Sequence, residues 1–204
     1  MKNLNVEKIL IYILGCVLFS LGATAFIQSH LGTDPLDVLC LGVQSKLGWK
    51  IGTTQSLLAI LLIFIYWAIK RVKLPPVSPF ITLFCCGYMI DFFLYSLHFL
   101  TMLHPYMLLT MGVSLCIMGS SAIIMSSYGI RPMDLVAIAL MHKTQKPFWL
   151  YKGILEVLLL STGYLLGGPV GVGTLLFLLG VGWSIQPSIR LLSRAGFPNY
   201  STVR

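Results

Sequence analysis

The sequence has few charged residues. Only 10% of its 204 residues are Asp, Glu, Lys or Arg, whereas about 25% is usual in a soluble domain. Hydrophobic residues make up 57% of the chain, and the mean hydropathy is +0.88. This shortage of charge excludes an ordinary soluble core and predicts an all-α polytopic membrane protein. At this length we expect one membrane domain, residues 1–204, without a separate soluble module.

The cysteines and histidines lack the spacing of a disulfide framework or of a metal site. The cysteine count of five is odd, no Cys-x-x-Cys pair occurs, and the four histidines are scattered. These residues are Cys16, Cys40, Cys85, Cys86, Cys116, His30, His98, His104 and His142. We therefore expect packed thiols, no metal and no cofactor.

Enzyme motifs are absent as well. The glycine-rich run LLGGPVGVGTLLFLLGVGW has no preceding strand and no following Lys-Ser/Thr, so it does not fit a phosphate-binding loop. A turn followed by close helix packing is the better interpretation. The net charge is +8, but the basic residues cluster at the ends of apolar runs, as topology signals do. We expect neither an enzyme nor a nucleic-acid partner.

An internal repeat with an offset of 97 residues organises the chain. Aligned without gaps, residues 9–46 match residues 106–143 at ten of 38 positions, three of them glycines. We interpret the match as a duplication, with repeats at about 9–100 and 106–195. The second copy lies mid-chain and cannot be a signal peptide. Its partner near the N-terminus is therefore expected to be a retained span and not a cleaved leader.

Six apolar runs are long enough to cross a bilayer, which takes about 20 residues of helix. They are residues 9–27, 53–69, 79–97, 106–125, 148–166 and 173–192. Two shorter runs, 35–46 and 132–143, are too short to span about 30 Å of hydrocarbon. We expect half-helices or re-entrant segments there, buried against protein.

The distribution of basic residues favours six spans with both termini in the cytoplasm. In that topology only Lys46 and Lys50 lie outside. The remaining basic residues that this topology puts on the inner side are Lys2, Lys8, Lys70, Arg71, Lys73, Arg131, Lys143, Lys146, Lys152, Arg190, Arg194 and Arg204. Three spans per repeat give the two halves opposite orientation, an architecture found in channels and transporters.

The two short runs begin with the same pattern, Gly-x-x-Pro-x-Asp. The half-helix starts are Gly32 with Pro35 in the first repeat and Gly129 with Pro132 in the second. Proline suits the first helical position, so Asp37 and Asp134 fall at the third. Two interpretations stay open: each carboxylate caps its own helix, or the pair forms a polar site for a solute or cation. The halves differ just before the proline, where Asp34 corresponds to Arg131.

Three further charged residues lie inside predicted spans. Glu156 is near the middle of the fifth run, where a charge costs at least about 2.5–3.5 kcal/mol. Lys152 lies four residues earlier on the same helical face, so a Lys152–Glu156 ion pair is expected, either structural or in transport. Asp91 is the third, and its counterpart, aligned through Gly87 and Gly180, is Ser184.

The segments GTDPLDVLCLGVQSKLGWKIGTTQSLL and GYLLGGPVGVGTLLF resemble the YczE-like group of bacterial integral membrane proteins, with YyaS and, more distantly, YitT. The similarity covers nearly the whole chain. It departs at Lys152, where arginine is usual, and near Trp183, where Gly-Pro is common. The resemblance implies a multi-pass protein of the bacterial cytoplasmic membrane, of the permease type, and no particular substrate.

We accordingly predict a small-solute permease or channel-like transporter. The alternative is a non-transporting sensor or regulator, or a substrate-capturing subunit of a larger transport complex. The expected partners are the lipid bilayer and a small solute or ion, with a homo-oligomer or a partner subunit compatible with the sequence. The candidate pathway residues are Asp37, Asp134, Glu156, Lys152 and Asp91.

Overall fold

A computed structural model describes residues 2–71 and 77–194. These residues are predominantly helical and contain no β-strand. The helices are α1 (Lys2–Gln28), α2 (Pro35–Leu47), α3 (Ile51–Lys70), α4 (Ser78–Ser96), α5 (Pro105–Met125), α6 (Pro132–Thr144), α7 (Phe148–Leu165), α8 (Val172–Leu176) and α9 (Gly182–Arg194). A short 3-10 helix, His98–Met102, follows α4, and one turn of π-helix, Phe177–Val181, joins α8 to α9.

Four helical segments are long and apolar enough to cross a membrane: Val6–Gln28, Ile51–Lys70, Ser78–Ser96 and Pro105–Met125. They correspond to the first four predicted spans. The fifth predicted span is α7, an 18-residue helix that contains Lys152 and Glu156. The sixth is divided into α8, the π turn and α9, with Pro187 inside α9. The membrane character is confirmed, and the six-span arrangement stays a prediction.

The apolar side chains on the outer faces of these helices are exposed. On α3, for example, Leu57, Ile60 and Phe64 are all about half exposed or more. On α7 the same holds for Val157 and Leu158. Such faces suit contact with lipid tails, which are as apolar as the side chains themselves.

The two short helices form where the Gly-x-x-Pro-x-Asp pattern predicts them. Each has 13 residues and therefore a length of about 20 Å, too short for the hydrocarbon core. Pro35 and Pro132 occupy the first turn, as expected from their fixed backbone angle. Gly48 ends α2 in the left-handed conformation that glycine adopts without strain.

Helices α1 and α5 pack closely through the glycines that the repeat shares. A Cβ on Gly15 would lie 2.8 Å from the backbone nitrogen of Ile123, and one on Gly22 would lie 2.7 Å from that of Cys116. Gly112 and Gly119 face α1 in the same way. Small residues at these positions let the two backbones approach, as is usual between membrane helices.

Each short helix also packs across the middle of the molecule. Helix α2 packs against α7, and α6 packs against α3, so the short helix of one half contacts a long helix of the other. Gly163 on α7 has no room for a Cβ, because the backbone of Val38 and Leu39 on α2 lies within 2.7 Å of that position. This exchange of contacts buries both half-helix starts in the interior.

Candidate functional site

Asp34 and Arg131 form an ion pair between the two half-helix starts. Arg131 Nη2 donates to Asp34 Oδ2 over 3.2 Å, and Asp34 Oδ1 accepts from the backbone N–H of Leu36 over 2.8 Å. The guanidinium also lies over the ring of Phe19, 4.6 Å from its centroid. Both carboxylate oxygens of Asp34 are therefore occupied, and Arg131 has one carboxylate partner and two aromatic faces, those of Phe19 and, at 5.7 Å, Phe177.

Asp34, and not Asp37, caps helix α2. The capping hydrogen bond to the Leu36 amide comes from Asp34. Asp37 instead accepts a 2.8 Å hydrogen bond at Oδ1 from Gln55 Nε2 on α3. The hypothesis that Asp37 caps its own first turn by hydrogen bonding is therefore wrong, since Asp34, three residues earlier, already takes that role. Asp37 still lies in the first turn, where the helix dipole favours a negative charge.

Lys152 on α7 lies between two carboxylates. Its Nζ is 3.3 Å from Asp134 Oδ1 on α6 and 3.8 Å from Glu156 Oε1 one turn further along α7. The contact with Asp134 is an ion pair by distance, although its angles do not meet those of a hydrogen bond. The expected Lys152–Glu156 pair is present, and Asp134 joins it. One ammonium thus serves two carboxylates.

A cavity of about 70 Å³ opens beside this cluster, with room for a few water molecules. Its polar lining includes Arg131, Asp134, Lys152 and Glu156. Its remaining lining comes from α5, the loop before α6, the π turn and α9, through Ser120, Ile123, Ile124, Gly129, Ile130, Phe177, Leu178, Val181 and Ile185. The cavity therefore combines charges of both signs with apolar walls, as small-molecule sites commonly do.

The glycine-rich loop between α7 and α8 closes against the first half-helix start. The backbone N–H of Gly173 donates to the carbonyl of Leu31 over 2.7 Å. Gly32 has a φ of +99°, and a Cβ there would lie 2.6 Å from both Gly171 N and Thr174 Oγ1. Only glycine meets both demands without strain. The run packs backbone on backbone, as the sequence indicated.

Asp91 lies outside the cavity and accepts hydrogen bonds from the start of α3. Its two carboxylate oxygens accept from the backbone N–H groups of Ile51 and Gly52 over 3.1 and 2.8 Å. These amides are at the start of α3, and the side chain of its N-cap residue, Lys50, forms no capping hydrogen bond. Asp91 thus satisfies free helix amides from α4, and it also lines an open cleft that contains Lys50.

Three residues of this site were missed as candidates: Asp34, Arg131 and Gln55. A signal for the first two was present, because they occupy equivalent positions 97 residues apart. Equivalent residues of two related halves meet if they lie near the axis between the halves. Gln55 also corresponds to Lys152 at that offset, so the first half places an amide where the second half places an ammonium.

The described residues contain no group of three or more His, Cys, Asp or Glu side chains arranged to hold a metal ion. The five cysteines are free thiols, and all except the partly exposed Cys85 are buried. Around the cavity, the described side chains therefore offer two carboxylates, the Arg131 guanidinium, the Lys152 ammonium and the Ser120 hydroxyl.

Comparison with known proteins shows the family. Residues 6–189 match the model described as "Family of unknown function (DUF6198)". The chain belongs to this family. It is 28% identical over 173 residues to the uncharacterized protein YyaS of Bacillus subtilis (strain 168), covering 83% of this chain and 86% of YyaS.

A second relative extends over almost the full length. The uncharacterized membrane protein YczE of Bacillus subtilis (strain 168) is 25% identical over 202 residues, which cover 96% of this chain and 93% of YczE. The resemblance to a YczE-like group is thereby confirmed, and with the apolar helices it establishes a membrane protein. No solved structure matches the chain.

Proposed function

We propose that the protein is a permease or channel-like transporter for a small polar or charged solute. The observation that carries this proposal is the cavity beside Asp134, Lys152 and Glu156. Ionisable side chains are costly at membrane depth and are retained there mainly where they face a polar interior and a function. The mixed charges suit a solute that is itself polar, ionic or zwitterionic.

Contacts between equivalent residues of the two halves support the same proposal. Asp34 contacts Arg131, and the thiol of Cys116 lies 3.9 Å from the carbonyl oxygen of Phe19; each pair is 97 residues apart. The reciprocal packing of α2 on α7 and of α6 on α3 has the same relation. We infer two halves of opposite orientation related by an axis in the membrane plane, with the substrate path at their interface.

The topology that goes with this proposal has six spans, in a bacterial cytoplasmic membrane, with both termini in the cytoplasm. This topology is tested with two variants, Lys50→Cys and Lys146→Cys, because both positions are exposed. An impermeant maleimide added to intact cells is expected to label position 50 and to spare position 146 until the cells are opened. Labelling of position 146 in intact cells would contradict the six-span topology. Lys73, the other inner marker, lies outside the described residues.

Transport itself is tested with purified protein. A panel of small amines, carboxylates, amino acids, sugars and inorganic ions is first screened for thermal stabilisation, since a ligand at 100 times its Kd adds about 2.7 kcal/mol. Solutes that stabilise are then tested for flux into proteoliposomes. We expect flux that is lost in Glu156→Gln and retained in Lys146→Gln, a matched control at an exposed lysine.

The second candidate, a capturing or regulatory subunit, predicts a different result. Tight binding without flux in proteoliposomes would favour it over the permease. If a ligand stabilised Glu156→Gln as much as the wild type, it would bind outside the cavity. The cavity would then be excluded as the binding site under both hypotheses.

A further inference from the structure

Asp37 is a buried carboxyl group with only one hydrogen-bond partner. Its exposed fraction is 1%, and the hydrogen bond from Gln55 Nε2 reaches only Oδ1. Oδ2 has no partner among the described residues. An ionised carboxylate in such a place needs a counter-charge or several donors to replace the water that it has lost.

The second half of the molecule supplies what the first half lacks. Asp134, the equivalent of Asp37, has the ammonium of Lys152 at 3.3 Å. The residue equivalent to Lys152 in the first half is Gln55, whose amide carries no charge. The repeat therefore provides an internal comparison: the same acid at the same position of a half-helix is beside a cation in one copy and beside a neutral amide in the other.

The other charged groups near Asp37 do not neutralise it. The charged residues that influence it electrostatically are Asp34 at the start of α2, Arg131 at the N-cap of α6, and Asp91 on α4. Arg131 is paired with Asp34, and Asp91 binds the first amides of α3. The charged neighbours of Asp37 are therefore two acids and one base, and the base already has a partner.

Helix α7, which packs against α2, adds no partner either. Its charged residues are Lys152 and Glu156, and their ion pairs are with Asp134 and with each other. Helix α3 contributes the uncharged Gln55. Among the side chains that the structure describes, no Lys or Arg forms an ion pair with Asp37.

We propose that Asp37 is a proton-binding site within the membrane domain. Its carboxylate takes up one proton to give the neutral acid, and it returns that proton to solvent when the pH rises. The neutral acid suits this environment because it removes the uncompensated charge. Gln55 can stabilise the neutral acid as well. Its amide oxygen also lacks a partner, and a 180° flip of the amide group lets this oxygen accept a hydrogen bond from the acid O–H. This goes beyond the transport proposal, because proton binding requires no solute flux.

Infrared difference spectroscopy of the reconstituted protein tests the proposal. The C=O stretch of a protonated carboxyl group lies above both stretches of a carboxylate and clear of the backbone amide band. We expect a protonated-carboxyl band at neutral pH that is lost in Asp37→Asn and that decreases reversibly as the pH is raised. Asp134→Asn is the matched control and should retain the band, because Asp134 has the Lys152 ammonium as a counter-charge at 3.3 Å.

A second variant keeps the test decisive if Asp37→Asn folds poorly. Gln55→Lys gives Asp37 the neighbour that Lys152 gives to Asp134, and we expect it to abolish the same band by stabilising the carboxylate. The proposal is overturned if wild-type protein has no protonated-carboxyl band at neutral pH. It is equally overturned if the band survives both variants, or if sodium ions at constant pH remove it by binding to the carboxylate.

Discussion

The contact between α3 and α4 in the first half is built differently from the corresponding region of the second half. Gly52 and Gly87 meet so closely that a Cβ on Gly87 would lie 2.7 Å from the Gly52 Cα. Asp91 then ties α4 to the start of α3 through two hydrogen bonds. At these two glycines the backbones of α3 and α4 are in direct contact.

In the second half the corresponding region is open. Gly180, the counterpart of Gly87, has nothing within 4 Å of the position that a Cβ would occupy. Among the described helices, α7 has no extensive packing against α8 or α9, and the cavity lies on this side of the molecule. Two halves of common pattern thus give a closed helix pair in one case and a polar cavity in the other. We infer that the first half serves as a fixed frame and the second half holds the site.

The largest expected effect comes from removing the ammonium of the open half. Lys152→Met leaves the partly buried Asp134 and Glu156 without their shared cation. Stranding a fully buried charge costs about 3–5 kcal/mol, and we expect a loss towards the lower end of that range. Adding Glu156→Gln should restore only part of this loss, because Asp134 remains unpaired. Glu156→Gln alone should cost little, since Lys152 keeps Asp134. Denaturant unfolding in detergent measures all three.

Full recovery in the double variant would contradict the sharing of Lys152. It would mean that Glu156 is the principal partner and that Asp134 is adequately solvated by the cavity. An equal loss for Glu156→Gln and Lys152→Met would show instead that the two residues act as an isolated pair.

The next effect distinguishes the closed interface from the open one. Gly87→Ala inserts a methyl group against the Gly52 backbone and should destabilise by about 1–3 kcal/mol. Gly180→Ala is its matched control in the second half and should change stability by less than about 0.5 kcal/mol. Thermal unfolding of the two variants side by side is sufficient. Equal losses would refute the asymmetry between the halves.

The smallest effect concerns the cap that Asp91 provides to α3. Asp91→Ala removes acceptors for the Ile51 and Gly52 amides and should cost about 0.5–2 kcal/mol, as lost helix caps do. Asp91→Asn keeps an acceptor oxygen and should lose less. If Asp91→Asn were stable but inactive in the flux assay, Asp91 would belong to the solute path after all.

The sequence predicted the local features of this molecule and missed the long-range ones. The short helices follow from proline at their first turn, and the Lys152–Glu156 pair follows from spacing within one helix. The ion pair of Lys152 with Asp134 depends on how α6 packs against α7, which no periodicity records. The same limit explains why Gln55 escaped notice: an isolated glutamine in an apolar run has no signature until its partner is known.

The division of the sixth predicted span also lay beyond the sequence. Its second half is interrupted by polar residues and by Pro187. Neither these residues nor the glycines distinguish an α-helical turn from the π turn at Phe177–Val181. This π turn forms part of the cavity wall, through Phe177, Leu178 and Val181.

The Asp34–Arg131 pair bears on how such a chain came to exist. If two identical copies of one half assembled face to face, the residue at this position would meet its own duplicate, and either two acids or two bases would be opposed. Attraction became available only when the copies were free to mutate separately, which joining them in a single gene permits. If the two halves arose by duplication, this salt bridge formed after the copies had diverged, because it distinguishes them by charge at a position where identical copies would have carried the same residue.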